Sequence, residues 1–275
     1  MKKNVGIIGN GFVGEAQAFA FAPVSNVLIY DIDPLKANAT LDQVHKCDII
    51  FVCVPTPMNA NGSQDLTYIN KVFDNAKEDP IYVIKSTVLP GTTNSIQYNY
   101  PEIKVIFSPE FLSERTAKLD MLTQARIILG GKKELTNVVK ELFNIRFMNR
   151  NIIETDSVTA ELVKYMNNTF FATKVSILNE FKLISDKVGA NWVDALNGFV
   201  SDSRVGDSHV HVPGPDGKLG YGGTCFPKDV NAFIIFAKEN GINLNTIKGG
   251  WKTNLDVRPE KDWEKNIGRS VSYEK

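Results

Sequence analysis

The sequence predicts an α/β chain: a doubly wound parallel sheet followed by an all-helical domain with one long central helix. Three observations carry this. Short β-branched runs alternate with helix-length segments through the first half. A glycine-rich turn, Gly9-Asn10-Gly11, joins the first run to the first helical stretch. From Ser157 to Val188 there is neither Pro nor Gly, and Gly189 stands where a helix would end.

The runs are Val5–Ile8, Val27–Tyr30, Asp48–Val54, Ile81–Ile84 and Val105–Phe107, with a helix expected from Val13 to about Phe21 after the first. Parallel strands need crossovers of helix length, and the spacing supplies them. The segment from Ser157 to Val188 gives a helix of roughly 45 Å at 1.5 Å per residue. Its middle, from Phe170 and Phe171 through Val175 and Leu178 to Phe181, is apolar on more than one face. Burial nearly all round is expected, in its own core or against a second subunit. A Gly- and Pro-rich loop from Gly206 to Gly223 precedes a helical segment to about Asn240. The domains expected are 1–155 for the sheet, 156–258 for the helices, and 259–275 as a polar tail with little order.

Composition excludes several classes. Hydrophobic residues at 43% and charged residues at 23% suit a soluble globular chain. Lys plus Arg and Asp plus Glu number 31 each, so no field of one sign points to nucleic acid or a membrane surface. Met1-Lys2-Lys3 before an apolar run resembles a secretory start, but Gly9-Asn10-Gly11 breaks the run at once, and none approaches the ~20 residues of a membrane span. It reads as a strand. Three cysteines, Cys47, Cys53 and Cys225, are too few for a disulfide framework, so a reducing cytoplasm is expected.

Gly9-Asn10-Gly11-Phe12-Val13-Gly14 follows a strand and opens a helix, the arrangement of a Rossmann-type dinucleotide turn. A phosphate needs free amides at a helix N-terminus and close backbone approach, so Gly9, Gly11, Phe12, Val13 and Gly14 are candidate cofactor contacts. Asp31 closes the second strand, where a carboxylate accepts from adenine-ribose hydroxyls and repels a 2′-phosphate. NAD is therefore expected over NADP. Lys36 lies close enough to temper that preference, or is a solvated helix residue. Without its surroundings the glycine pattern would be only a tight turn.

The most informative stretch is Gly220-Tyr221-Gly222-Gly223-Thr224-Cys225-Phe226-Pro227-Lys228-Asp229. Pro227 and Asp229 suit the first turn of a helix, which sets Cys225 just before a helix N-terminus. That position, with Lys228 nearby, stabilises a thiolate nucleophile. Glycines such as Gly222 let a substrate approach the backbone. An isolated Cys is more often a buried apolar thiol, but these neighbours change the expectation.

This stretch resembles the active-site signature of the UDP-glucose and GDP-mannose dehydrogenase family, and other segments match in the family's order. Val54-Pro55-Thr56-Pro57 is similar to its Pro-Thr turn beside the cofactor, and Lys85-Ser86-Thr87 to its Lys-Ser-Thr segment. Ser108-Pro109-Glu110-Phe111-Leu112-Ser113-Glu114 resembles its Pro-Glu-Phe-Leu block. Glu161-Leu162-Val163-Lys164-Tyr165-Met166-Asn167-Asn168 resembles its Lys-x-x-x-Asn helix.

The resemblance implies NAD-dependent, four-electron oxidation of a nucleotide sugar, UDP-glucose first, at C6. Cys225 would add to the aldehyde and carry it through a thioester to the uronate. Lys164 and Asn168, four apart on one helix face, would stabilise charge on the C6 oxygen. Thr87 and Asp229 would position water and Glu110 would act as general base, unless Glu110 is only a helix-start acid. Thr56 and Thr87 would lie by the cofactor. Phe111, Leu112, Glu114 and Gly222 would surround the substrate, and Arg204 would reach the substrate of a partner subunit in a homodimer.

The family pattern continues past a segment like Trp251–Arg258 into a further nucleotide-binding domain; here only Pro259–Lys275 follow. The nucleotide then falls to the loop from Ser208 to Gly220, with Lys218 and Arg204 as candidate pyrophosphate contacts. His209 and His211 lack clustered partners, so they read as loop residues and no metal is expected. Two alternatives stay open: a two-electron hydroxyacid dehydrogenase, which needs a Lys but no thiol, and a non-catalytic NAD-binding or oligomerising subunit.

Overall fold

The computed structural model describes residues 2–273. The chain divides into two compact units, Met1–Thr56 with Asp65–Lys164, and Pro57–Gln64 with Tyr165–Lys275. The division falls inside the long helix rather than ahead of it, and the short segment 57–64 joins the second unit.

The first unit is a seven-stranded sheet of order β2-β1-β3-β4-β5-β6-β7. Its strands are β1 (Asn4–Ile8), β2 (Asn26–Tyr30), β3 (Ile49–Val52), β4 (Ile81–Ile84), β5 (Lys104–Phe107), β6 (Arg126–Gly130) and β7 (Asn151–Thr155). Between them lie α1 (Phe12–Phe21), α2 (Leu41–Val44), α3 (Thr67–Asp74), α4 (Thr92–Asn99), α5 (Ala117–Thr123) and α6 (Lys133–Arg146). Pairing is parallel throughout except between β5 and β6, which meet antiparallel at Phe107 and Gly130. The doubly wound parallel sheet expected from the sequence is present, with this one antiparallel step beyond β5.

Alternate residues of β1 to β6 enter two apolar layers, as a sheet covered on both faces requires. Ile7, Phe51, Val83 and Ile106 face one layer; Ile8, Ile50, Val52, Tyr82 and Ile84 face the other. Phe21 from α1 stacks on Phe51 at 5.2 Å and meets Phe143 of α6 edge-on at 5.3 Å. Strand order reverses between β1 and β3, so the sheet has its switch point where Gly9 and Cys53 leave those strands.

Helix α7 runs from Ser157 to Val188, the span predicted. Its first turns belong to the first unit, where Glu161 accepts from the Gly91 and Thr93 amides and the Thr93 hydroxyl at 2.6–2.8 Å. The rest of α7 forms the second unit with α8 (Trp192–Val200), α9 (Phe226–Glu239) and α10 (Asn245–Val257).

In the second unit the middle of α7 is buried within this chain on one side only: Leu178 and Val175 pack into its own clusters, whereas Phe170 is 65% exposed and Phe181 49%. One expectation is corrected here: residues 259–273 are not a loose tail. Trp263 is 1% exposed and packs against Trp251 at 5.4 Å. Further on, the chain pairs with the loop at Met58, whose N–H donates to Ser270 and whose carbonyl accepts from Ser272. One indole, a backbone pairing and the ion pairs of Glu260 and Asp262 order a segment whose composition is mostly polar.

Candidate active site

In the first unit the candidate residues follow the carboxyl ends of consecutive strands. Gly9 leaves β1 with φ +90°, and a Cβ there would lie 2.8 Å from the Cys53 carbonyl oxygen. Gly14 is equally constrained, since its Cβ would fall 2.0 Å from the Gly9 oxygen. Gly11 is the N-cap of α1 with no side-chain cap, and open space lies where its Cβ would stand. The helix N-terminus beside Phe12 and Val13 therefore has room for a phosphate.

Asp31 turns its carboxylate into this turn. It accepts from the Asn10 amide at 2.6 Å and from the Asp33 amide at 2.9 Å, leaving lone pairs for a pair of ribose hydroxyls. Lys36 lies at the same edge: its carbonyl accepts from the Asn10 side chain at 2.7 Å, and its ammonium stands 3.8 Å from Asp33. These residues fit an NAD adenosine and pyrophosphate.

The ends of β3 and β4 are tied together. The Thr56 hydroxyl donates to the Thr87 carbonyl at 2.8 Å, and Ser86 donates to Val54 at 2.7 Å. After β5, Glu110 is buried, with one oxygen accepting from the Lys164 ammonium at 2.9 Å and the other from the Leu112 amide at 2.6 Å. Burial pulls this carboxyl toward higher pKa, but Lys164, the Leu112 amide and Lys85 outweigh it and hold it below the ordinary value. Lys164 also donates to the Glu110 carbonyl at 2.7 Å. The Phe111 ring lies 4.3 Å from the Arg126 guanidinium and 5.6 Å from the Lys164 ammonium. Leu112 is half-buried and Glu114 exposed.

In the second unit Cys225 is the N-cap residue of α9, with Pro227 in the first turn. The Thr224 hydroxyl lies 3.8 Å from its Sγ. One turn on, Asp229 is 1% exposed; its amide donates to the Cys225 carbonyl, and its carboxylate accepts from Asn168 at 2.6 Å and from Lys228 at 2.6 Å. Asn168 on α7 is thus joined through Asp229 to the turn that carries the thiol.

The glycine loop is pinned from behind. Asn254 brackets Tyr221, accepting from its amide at 2.7 Å and donating to its carbonyl at 3.0 Å. Arg258 bonds Asp216, Asp262 and the Leu219 carbonyl. A Cβ on Gly222 would lie 2.6 Å from the Asp262 carboxylate and 2.7 Å from the Arg258 guanidinium, so a larger residue here would have to displace that ion pair. The two expected pyrophosphate cations are already paired: Arg204 with Asp202, and Lys218 with Glu260 and Asp262. His209 stacks on Phe171 at 4.2 Å.

Sequence reasoning gave Lys85 no role, yet it is among the most buried charges in the unit. The available signal was a lysine directly after an apolar strand run. Asn254 and the Arg258–Asp216 pair had no comparable signal, because these partners lie over thirty residues apart in sequence.

A doubly wound sheet with a glycine turn at its switch point and an acid at the end of β2 defines a dinucleotide-binding class. Comparison with known proteins narrows this: residues 34–146 match the NAD binding domain of the UDP-glucose/GDP-mannose dehydrogenase family, and residues 158–256 match its central domain. The chain belongs to that family. It is 35% identical to a UDP-glucose 6-dehydrogenase of Rickettsia conorii over 81% of this chain and 52% of the relative. It is 30% identical to one of Bacillus subtilis over 93% of this chain and 64% of the relative. A solved UDP-glucose dehydrogenase from Pyrobaculum islandicum superposes with a TM-score of 0.81 at 26% identity, covering 93% of this chain and 68% of the other. The chain spans about half the length of the Rickettsia relative.

Proposed function

We propose that this chain oxidises the C6 alcohol of a nucleotide sugar, UDP-glucose first, to the uronate in two steps through a covalent bond to Cys225. The observation that carries the reading is Cys225 as N-cap of α9, one turn from the Asn168–Asp229–Lys228 cluster. A helix N-terminus favours the thiolate, which is the nucleophilic form.

NAD, when bound at the Gly9 turn, would accept a hydride at each oxidation. Glu110, held ionised by its cations, takes the alcohol proton in the first step. Lys164 and Asn168 donate to the C6 oxygen as charge develops there. The Cys225 sulfur adds to the aldehyde carbon as a thiohemiacetal, whose oxidation leaves a thioester. Water, positioned by Thr87 and Asp229, attacks the thioester carbon; the thiolate leaves and the carboxylate is released. Phe111, Leu112, Glu114 and Gly222 surround the sugar in this reading. Arg204 and Lys218 would have to leave their carboxylate partners to meet a pyrophosphate.

The chain is further read as a cytoplasmic homodimer. The exposed apolar side chains of α7, Phe170 and Phe181 with Ile184, supply a face for a second copy. Among the described residues no helix is long and apolar enough to cross a membrane. The test is turnover of UDP-glucose, UDP-N-acetylhexosamines and GDP-mannose with NAD. Uronate from one of them supports the reading; NADH without uronate refutes the thioester route.

A further inference from the structure

Lys85 follows β4 directly, is 4% exposed, and spans to the turn after the neighbouring strand. Its ammonium donates to the Ser108 hydroxyl at 3.1 Å and the Pro109 carbonyl at 3.0 Å. Lys164 donates to the next carbonyl, that of Glu110, and to the Glu110 carboxylate. Two ammonium groups thus grip successive carbonyls of one buried turn and face a single carboxylate.

We propose that Lys85 is a positioning residue for Glu110: it fixes the Ser108–Pro109 turn that presents the carboxylate and supplies a second positive charge that keeps it ionised. The proposal rests on the reading of Glu110 as general base and deepens it. A pin alone could be made by a neutral amide with two N–H donors; the charge is what a lysine adds.

The groups facing Lys85 are Cys53 after β3, Glu110 after β5 and Lys164 on α7. Burial pushes the Cys53 thiol up to about 12, so it stays neutral and offers no competing anion. Burial, with Lys164 adding to it, pulls Lys85 down to about 8 against the attraction of the Glu110 carboxylate. Around neutral pH Lys85 is still charged. A proton accepted by Glu110 then leaves two ammonium groups facing a neutral acid, which favours its release and resets the base.

The test is a ¹³C NMR titration of the full chain labelled at the glutamate carboxyls, without substrate, the Glu110 resonance being identified by its loss in Glu110→Gln. In the parent the Glu110 signal should show a second inflection near pH 8 as Lys85 gives up its proton. Lys85→Met should abolish that inflection and raise the proton affinity of Glu110 about tenfold. Ser108→Ala, which removes a tether but no charge, should leave both nearly unchanged. If Glu110 titrates identically in folded Lys85→Met, the proposal is overturned. With an active substrate, the acid limb of kcat should move to higher pH in Lys85→Met. A parent that turns over no nucleotide sugar would defeat the functional reading while the titration still decides the role of Lys85.

Discussion

The two units surround their buried carboxylates differently. In the first, Glu110 faces Lys85 and Lys164, two cations to one anion. In the second, Asp229 takes one ammonium from Lys228 and one neutral amide from Asn168. An excess of positive charge suits a carboxylate that must stay ionised in a dry pocket and accept a proton only briefly. A balanced pair suits a carboxylate that orients its neighbours, here the turn carrying Cys225. On the proposed reading, binding and proton transfer belong to the sheet unit, and covalent chemistry to the helical one.

The comparison breaks most sharply at the thiol. Cys225→Ser should lower uronate formation by about three orders of magnitude or more, because the alkoxide is a poor substitute for a thiolate at neutral pH. NAD affinity, measured by calorimetry, should stay at the parent value. A uronate-forming serine variant would remove the distinction between the units.

Trp263→Ala asks whether the second unit depends on the segment after Arg258. Loss of this buried indole should cost about 3–5 kcal/mol in urea unfolding. Hydrogen exchange should speed up first in α9, α10 and the Met58 loop, with the sheet strands following later. Uniform loss of protection would show that the units do not unfold separately.

A smaller effect is expected at the cofactor edge. Asp31→Ala should weaken NAD binding about tenfold or more through loss of the ribose contacts and of the bond that orders Asn10. The preference over NADP should narrow. Equal NAD affinity in a calorimetric titration would mean that Asp31 only orders the turn.

The smallest effect separates two buried glutamates of one unit. Glu161, unlike Glu110, faces no lysine among the described residues; burial raises its pKa against the opposing bonds from Thr93 and Gly91. Its unfolded form loses the proton first, so it contributes stability at low pH that is lost as pH rises from about 4.5 through the raised folded value. Glu161→Gln should flatten that part of the urea midpoint curve. An unchanged slope between pH 4 and 7 would assign the dependence elsewhere.

How much was legible in the sequence follows the same division. Strands β1 to β5, the glycine turn and the ends of α7 could be read, because periodicity and glycine placement are local signals. Strands β6 and β7 were passed over although, at five residues each, they are no shorter than the strands that were read; β6 owes its place to an antiparallel step that no local pattern announces. The site residues were legible only through their neighbours in motifs. What no motif carried was the set of long-range ties: Lys85 to Pro109, Asn254 to Tyr221, and Arg258 to Asp216. The burial of Trp263 was hidden for the same reason, since one indole does not alter a polar composition.

The most direct test of the whole account counts electrons. Limiting UDP-glucose, or whichever nucleotide sugar proves active, is consumed to completion with excess NAD, and NADH and sugar product are quantified together. The account predicts two NADH for each uronate formed, with a Cys225-bound acyl intermediate trapped by acid quench and seen as added mass. One NADH per substrate, with an aldehyde or keto product and unmodified Cys225, would contradict it.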